Sequence, residues 1–365
     1  DFPYGCAEQT MGRFLPTEVA IKASAASGQP IQKPIDAIVR ASLDKLYGYQ
    51  HSDGGWGWWK EDNTHPFMTG YVLYGLSQAM AAGRSVSETT FQRGIGAALK
   101  IQSELLQSSE GEARVYLLWS LSQALEFDKE SKAHLPVLTE ALQQLAADPA
   151  SSSLGIYSKA LLGEALFKVV PDSPAIAKLK DEIRKSAKTE ASGWNDKVWS
   201  PSSRPQPLVH WDAQAFGSHG FVDDDVETTC AALTFFSCGT PSSQDLALID
   251  SGIQWLLSQK RGPHWKSTKD TAKAVMTLCR LRPLSAARVG EPVGLSLDGK
   301  SLDLKGASSL KLPLDPQISH RLECQSSTPA QVSLELTAQE GPKSGQVDLA
   351  PASQGIKVSR EYSKR

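Results

Sequence analysis

Near the amino end, Gly5-Cys6-Ala7-Glu8-Gln9-Thr10 sets a thiol and a carboxamide three residues apart. In a helical turn, positions i and i+3 lie on one face, so the two side chains can meet. Pro3 fixes the entry, and Gly5 permits an unusual backbone angle just before the cysteine. Cys6 is expected at the start of a helix beginning near residue 7, where unpaired N–H groups and the helix dipole favour a thiolate. A thiolate held against the Gln9 amide could displace ammonia and close an internal thioester through Cys6, Ala7, Glu8 and Gln9. That bond is an acyl electrophile, dormant while shielded from water. Once exposed, it would pass the Gln9 acyl group to an amine or hydroxyl and free the Cys6 thiol. By spacing alone, a half-buried structural cysteine at a helix start is the commoner arrangement.

Other residues compete for a chemical role. Asp223-Asp224-Asp225 resembles the acidic motifs of terpene cyclases, and DGGWGWW (53–59) with Gln50 is faintly similar to their aromatic repeats. The competing reading of the acids is a helix N-terminus. The seven histidines, at 51, 65, 134, 210, 219, 264 and 320, show no metal-ligand spacing and read as solvated or packing residues. His210 and His219 fall in an irregular loop from which one could fold near the thioester. Trp56, Trp58 and Trp59 read as a packed linker. Of the five cysteines, Cys230, Cys238, Cys279 and Cys324 read as buried small hydrophobes, and an odd count leaves one thiol unpaired. Neither a CxxC pair nor a glycine-rich phosphate loop occurs, so no metal or cofactor is expected.

The elements that must hold these residues are mostly helices. Apolar residues recur at three- and four-residue steps in 10–27, 34–50, 67–83, 87–107, 111–127, 133–146, 152–169, 174–188, 226–238, 244–260 and 267–281. Eleven helices with short links make a chain of αα-hairpins. A stripe of small and aromatic residues repeats from Thr69, Ala113, Gly155, Glu227 and Thr271, at steps of 44, 42, 72 and 44 residues. The long step holds an extra loop, roughly 193–222. A helix-pair repeat of this length forms an open array or a closed ring. The small-residue stripe favours close inner packing, hence an α/α toroid.

From Val289 the period changes to two. PVGLSLDGKSLDL (292–304) reads as a hairpin turning at Asp298-Gly299. HRLECQS, AQVSLELTAQ and GIKVSREY read as further strands. The 365 residues carry a net charge of -2, which argues against nucleic acid or an anionic membrane as partner. No apolar run reaches 18 residues. The chain starts at Asp1 without a signal segment, so it is expected to be a piece of a longer protein.

GCAEQT resembles the thioester motif of the alpha-2-macroglobulin and complement family, Gly-Cys-any-Glu-Gln, and PYGCAEQT is most similar to its bacterial alpha-2-macroglobulins. QHSDGGWGWW (50–59), HPFMTGYVLYGL (65–76), HWDAQAFGSHGFVDDDVETTCAAL (210–233) and GIQWLLSQKRGPHWKSTKDTAKAV (252–275) continue the resemblance in order. It implies a thioester domain, an α/α toroid, over 1–285. It implies part of a CUB-like β-domain over 286–365, leading into a macroglobulin-type domain. Cys6 would be the thioester sulfur and Gln9 the acyl donor, with Gly5, Glu8 and the shielding Tyr4 in support. The implied function is covalent suicide trapping of proteases through their lysine amines, not turnover. The implied partners are target proteases and other domains of the same chain, at a periplasmic, envelope or extracellular site, with any lipid anchor elsewhere. Complement members carry a catalytic His roughly 115 residues after the cysteine. Here the matching linker reads QSSEGEA (107–113), and no His occurs between His65 and His134. Direct attack by amines is therefore expected. The alternatives are a cyclase-like toroid enzyme, with Asp223–Asp225 lining an apolar cavity, and a non-covalent scaffold with a structural Cys6.

Overall fold

The computed structural model describes residues 5–26, 36–107, 110–190, 207–213, 224–261, 264–286, 294–302, 312 and 320–325. Two compact units divide the chain. The larger holds residues 1–192 and 206–285, and the smaller holds 193–205 and 286–365.

The larger unit contains eleven α-helices among its described residues. They are α1 (Ala7–Ala26), α2 (Asp36–Gly48), α3 (Pro66–Ala81), α4 (Glu88–Glu104), α5 (Gly111–Ala124), α6 (Ser131–Ala147), α7 (Ile156–Val169), α8 (Ala175–Lys185), α9 (Asp225–Phe236), α10 (Ser243–Ser258) and α11 (Thr268–Ala286). Their starts follow local chemistry. Pro66 opens α3, where its missing N–H costs nothing. Ser87, Asp224 and Ser242 cap α4, α9 and α10 through side-chain oxygens, and Ser242 forms a full capping box with Asp245.

The helices sort into two layers. α3, α5, α7 and α9 are buried around most of their circumference, whereas α8 buries only Leu179 and Ile183. A helix buried all round must have neighbours on all sides; a one-sided helix faces water. Successive odd helices α1, α3, α5, α7 and α9 pack on one another, and each even helix packs outside its partner. Small residues set the inner spacing. A β-carbon on Gly70 would come within 2.9 Å of Ser120 Oγ and the Tyr116 ring, and one on Gly163 within 2.2 Å of the Phe235 ring.

α11 closes the ring. Its Lys269 bridges Glu227 of α9 at 3.2 Å, and its Thr268 packs beside Gly12 of α1. Arg280 pairs with Glu164 of α7, which also accepts the Trp119 indole N–H from α5 at 3.0 Å. The architecture is mainly α, an α/α toroid of helical hairpins.

Three details depart from the sequence expectations. The segment expected to be helical from 152 is a 3-10 turn, Pro149–Ser153, and α7 starts at Ile156. α11 continues past the expected end at 281 to Ala286. The extra loop is bracketed by an unexpected antiparallel pair, β1 (Lys188–Glu190) and β2 (Leu208–His210). In the smaller unit, β3 (Gly294–Leu297), β4 (Lys300–Leu302) and β5 (Leu322–Gln325) form a sheet of order β4-β3-β5. Its hairpin turns at Asp298 (φ 51°) and Gly299 (φ 76°), as expected. The strands expected in AQVSLELTAQ and GIKVSREY lie outside the described residues.

Candidate functional site

Cys6 sits at the cap of α1, one residue before Ala7, and is buried with 8 % of its surface exposed. Gln9 is the third residue of the helix and is exposed. Its side chain folds back, and Oε1 accepts the Cys6 backbone N–H at 3.3 Å. This is one half of a capping box, in which the third helical residue reaches back to the cap N–H. A cysteine stands where serine or threonine usually does. The carboxamide is thereby held at the Cys6 backbone.

Two further contacts fix the cap. Thr10 donates both its backbone N–H (3.0 Å) and its hydroxyl (2.9 Å) to the Cys6 carbonyl. Ala7 N–H donates to the Trp58 carbonyl at 2.8 Å. That carbonyl is set by the link between α2 and α3, where Asp62 Oδ2 accepts the N–H groups of Trp58 and Trp59. Trp56 of the same link is fully buried, with its indole N–H on the Leu46 carbonyl at 2.8 Å. Trp59 is 53 % exposed, so only part of this aromatic run is packed linker.

Gly5 has φ 121°, a value that side chains rarely adopt. A β-carbon there would lie 2.2 Å from Gln9 Oε1. The glycine is required twice, by its backbone angle and by the carboxamide lying over it. Lys45 Nζ and Tyr49 Oη both donate to the Gly5 carbonyl. Neither residue was singled out by the sequence. Forty residues separate them from the cap, and no local pattern announces the contact.

Of the expected site residues, Gly5, Cys6 and Gln9 are brought together. Glu8 turns elsewhere. It is half-buried, and burial pushes its carboxyl up while Lys269 of α11 pulls it down, so it belongs to the α1–α11 seam. Tyr4, His219 and Asp223 lie outside the described residues. His210 sits on β2, where its ring stacks on Trp255 of α10 (4.7 Å, 11°) and Nε2 faces Asp212 at 3.1 Å. His210, Asp212 and Asp225 place one ligand-type atom each within 4.8 Å of one another, a grouping their spacing did not announce. Two of these groups already hold hydrogen bonds, His210 Nε2 to Asp212 and Asp225 to the backbone. Asp225 accepts the Ala213 N–H at 2.7 Å, and Glu190 lies 3.4 Å from His210 Nδ1, which is buried without a hydrogen bond among the described residues. Cys230 and Cys238 are buried thiols, pushed up by burial to about 12 and about 11 respectively. Cys279, by contrast with the expectation, is only partly buried.

The ring axis holds a cavity of about 50 Å³ lined by Tyr74, Trp119, Tyr157, Glu227, Lys273 and Arg280, among others. A cyclase needs room for a whole hydrocarbon chain, and ligand pockets run to several hundred Å³. Asp224 and Asp225 instead work at the start of α9, the first as its cap and the second holding Ala213. Among the described residues, no observation favours the cyclase reading.

The A-macroglobulin TED domain family model matches residues 1–104 and 108–280. The chain belongs to the A-macroglobulin TED domain family. An alpha-2-macroglobulin of Thermotoga maritima is 40 % identical over 167 residues, 43 % of this chain and 10 % of the relative. One from Ralstonia nicotianae is 28 % identical over 185 residues, 48 % of this chain and 11 % of the relative. The chain thus spans about a tenth of these relatives. The fold matches a trypsin-activated alpha-2-macroglobulin from Escherichia coli (TM-score 0.54, 17 % identity, 82 % of this chain, 19 % of that one). It also matches a Salmonella alpha-2-macroglobulin reacted with methylamine (TM-score 0.54, 16 % identity, 83 % of this chain, 18 % of that one). At that identity the likeness establishes the fold, and it agrees with the TED-family toroid. No described helix is long and apolar enough to cross a membrane.

Proposed function

We propose that Cys6 and Gln9 condense to an internal thioester and that this TED domain is the covalent capture element of a protease-trapping alpha-2-macroglobulin. The observation that carries the reading is the Gln9 carboxamide folded onto the Cys6 N–H, over a glycine that leaves room for it. In the closing step the Cys6 thiol attacks Gln9 Cδ, the C–N bond breaks, and the nitrogen leaves as ammonia with the thiol proton. In the capture step a neutral lysine amine attacks the same carbon and the sulfur departs.

Support also comes from the relatives. Alpha-2-macroglobulins of Escherichia coli have been observed activated by trypsin and by porcine elastase, and the Salmonella protein reacted with methylamine. The matching chemistry here is an acyl group open to amines. We extend the reading to a suicide trap rather than a turnover enzyme, released by cleavage elsewhere in a longer chain and working outside the cytoplasm. Residues 1–285 would form the thioester domain, and 286–365 part of a CUB-like domain. With no histidine in the α4–α5 linker, attack by amines is direct. A hydroxyl would need a base to activate it.

Intact-mass measurement of the full-length chain tests this. A thioester lowers the mass by about 17 Da, one ammonia, and blocks the Cys6 thiol until methylamine releases it. A chain at its full mass, with Cys6 free from the outset, refutes the proposal.

A further inference from the structure

We infer that Lys45 is a positioning residue of the acyl-transfer centre, holding the Gly5 carbonyl and placing a positive charge beside the sulfur as the acyl–sulfur bond breaks. The inference rests on the thioester reading and deepens it.

Lys45 lies in the last turn of α2, and Tyr49 follows one turn later. Residues four apart share a helix face, so both side chains reach one acceptor. Lys45 Nζ and Tyr49 Oη (3.3 Å) donate to the same oxygen, the Gly5 carbonyl. Nζ also lies 5.4 Å from the Tyr49 ring centroid, within cation–π range. Two donors on one carbonyl fix the peptide plane between Gly5 and Cys6, and hence the direction in which the Cys6 side chain leaves the backbone. Gly5 reaches φ 121° without the penalty a β-carbon would bring, but its backbone is free to leave that angle, so the two donors hold it there. The lysine also feels the sulfur. Burial draws its ammonium pKa below the ordinary lysine value, and Cys6 offsets part of that fall.

The chemistry gives that charge a task. During capture the amine lone pair forms a bond to Gln9 Cδ. The Cδ–Sγ bond breaks, and its electron pair stays on Sγ. The surplus amine proton passes to solvent. A thiolate therefore appears at Cys6, and a neighbouring ammonium stabilises it and the transition state leading to it. Lys45 does not touch the acyl carbon. It acts through the cysteine.

The test uses the full-length chain with methylamine as probe. Wild type, K45R, K45Q and K45M are compared for thioester occupancy by intact mass, for the rate of thiol release, and for thermal unfolding. K45M is expected to release thiol about tenfold more slowly per intact thioester, and K45R to stay within about threefold of wild type. K45Q keeps an N–H donor but not the charge, and it is expected to be as slow as K45M. If K45M fails to fold, K45Q decides. Thiol release at the wild-type rate in K45Q overturns the inference, even with a lowered unfolding temperature. A wild-type chain 17 Da light whose Cys6 thiol is already free, with Lys45 joined to Gln9, overturns it too. A wild-type chain at its full mass defeats the thioester reading itself, which is a different result.

Discussion

Replacing Gly5 with alanine tests the site most directly. The new β-carbon would stand 2.2 Å from Gln9 Oε1 and 3.2 Å from Gln9 Cβ and Cδ, so the carboxamide must move. Moving it breaks the Cys6 N–H bond to Oε1, a helix-cap contact worth about 0.5–2 kcal/mol. The backbone cost is separate. An L-residue held at φ 121° carries strain of about 1–3 kcal/mol. The two add to about 1.5–5 kcal/mol against the arrangement in which amide and cysteine meet. At the low end, that cuts the population able to condense about tenfold. Intact mass should show Gly5→Ala arriving without the loss of ammonia, and methylamine should release no additional thiol. Gly83→Ala is the matched control. Gly83 also has a positive φ (77°), but nothing lies within 4 Å of its virtual β-carbon. It should lose about 1–2 kcal/mol of stability and no thioester. Wild-type thioester occupancy in Gly5→Ala would refute the argument, because the carboxamide would then be reaching the sulfur from another pose.

Gly163→Ala puts a β-carbon 2.2–2.6 Å from three atoms of the Phe235 ring, where α7 meets α9. Urea unfolding should show a loss of about 1–3 kcal/mol, and adding Phe235→Leu should recover part of it; strictly additive losses would contradict the contact. Glu112 accepts the Gly155 N–H at 2.8 Å, and burial raises its carboxyl to about 7 despite that bond and Lys159. A raised carboxyl gives stability that is complete below its unfolded value near 4.5 and is lost as pH rises through about 7. The unfolding free energy read from urea titrations should therefore fall across this window by about 1–3 kcal/mol, and Glu112→Gln should lack that component. Parallel pH profiles for the two proteins would rule it out. Finally, with methylamine and glycerol offered together, mass spectrometry of the Gln9 peptide should show the amide and almost no ester. Abundant ester would mean that a base outside the α4–α5 linker serves the site.

The helical ladder was readable residue by residue because its signals are local. A period of 3.6 residues, a proline at position 66 and serines at 87 and 242 each act within one turn of chain. The Asp298-Gly299 turn was legible for the same reason, since two positive φ values need those residue types. The pairing of Cys6 with Gln9 belongs to this class too, because an i to i+3 relation is set by a single helical turn. The β1–β2 pair was not legible. Its three-residue strands carry no pattern, and they pair across an interval of about twenty residues. The stack of His210 on Trp255 joins a strand to a helix that follows it much later in the chain. The same holds for the clamp of Lys45 and Tyr49 on Gly5. Sequence determined that a thiol and a carboxamide share the first turn of α1. Only the packed ring decided what surrounds them, since Trp58, Lys45 and Tyr49 reach the cap by the docking of α2 and its link against α1. Contacts of that kind depend on burial summed over whole helices, a quantity that no short stretch of residues encodes.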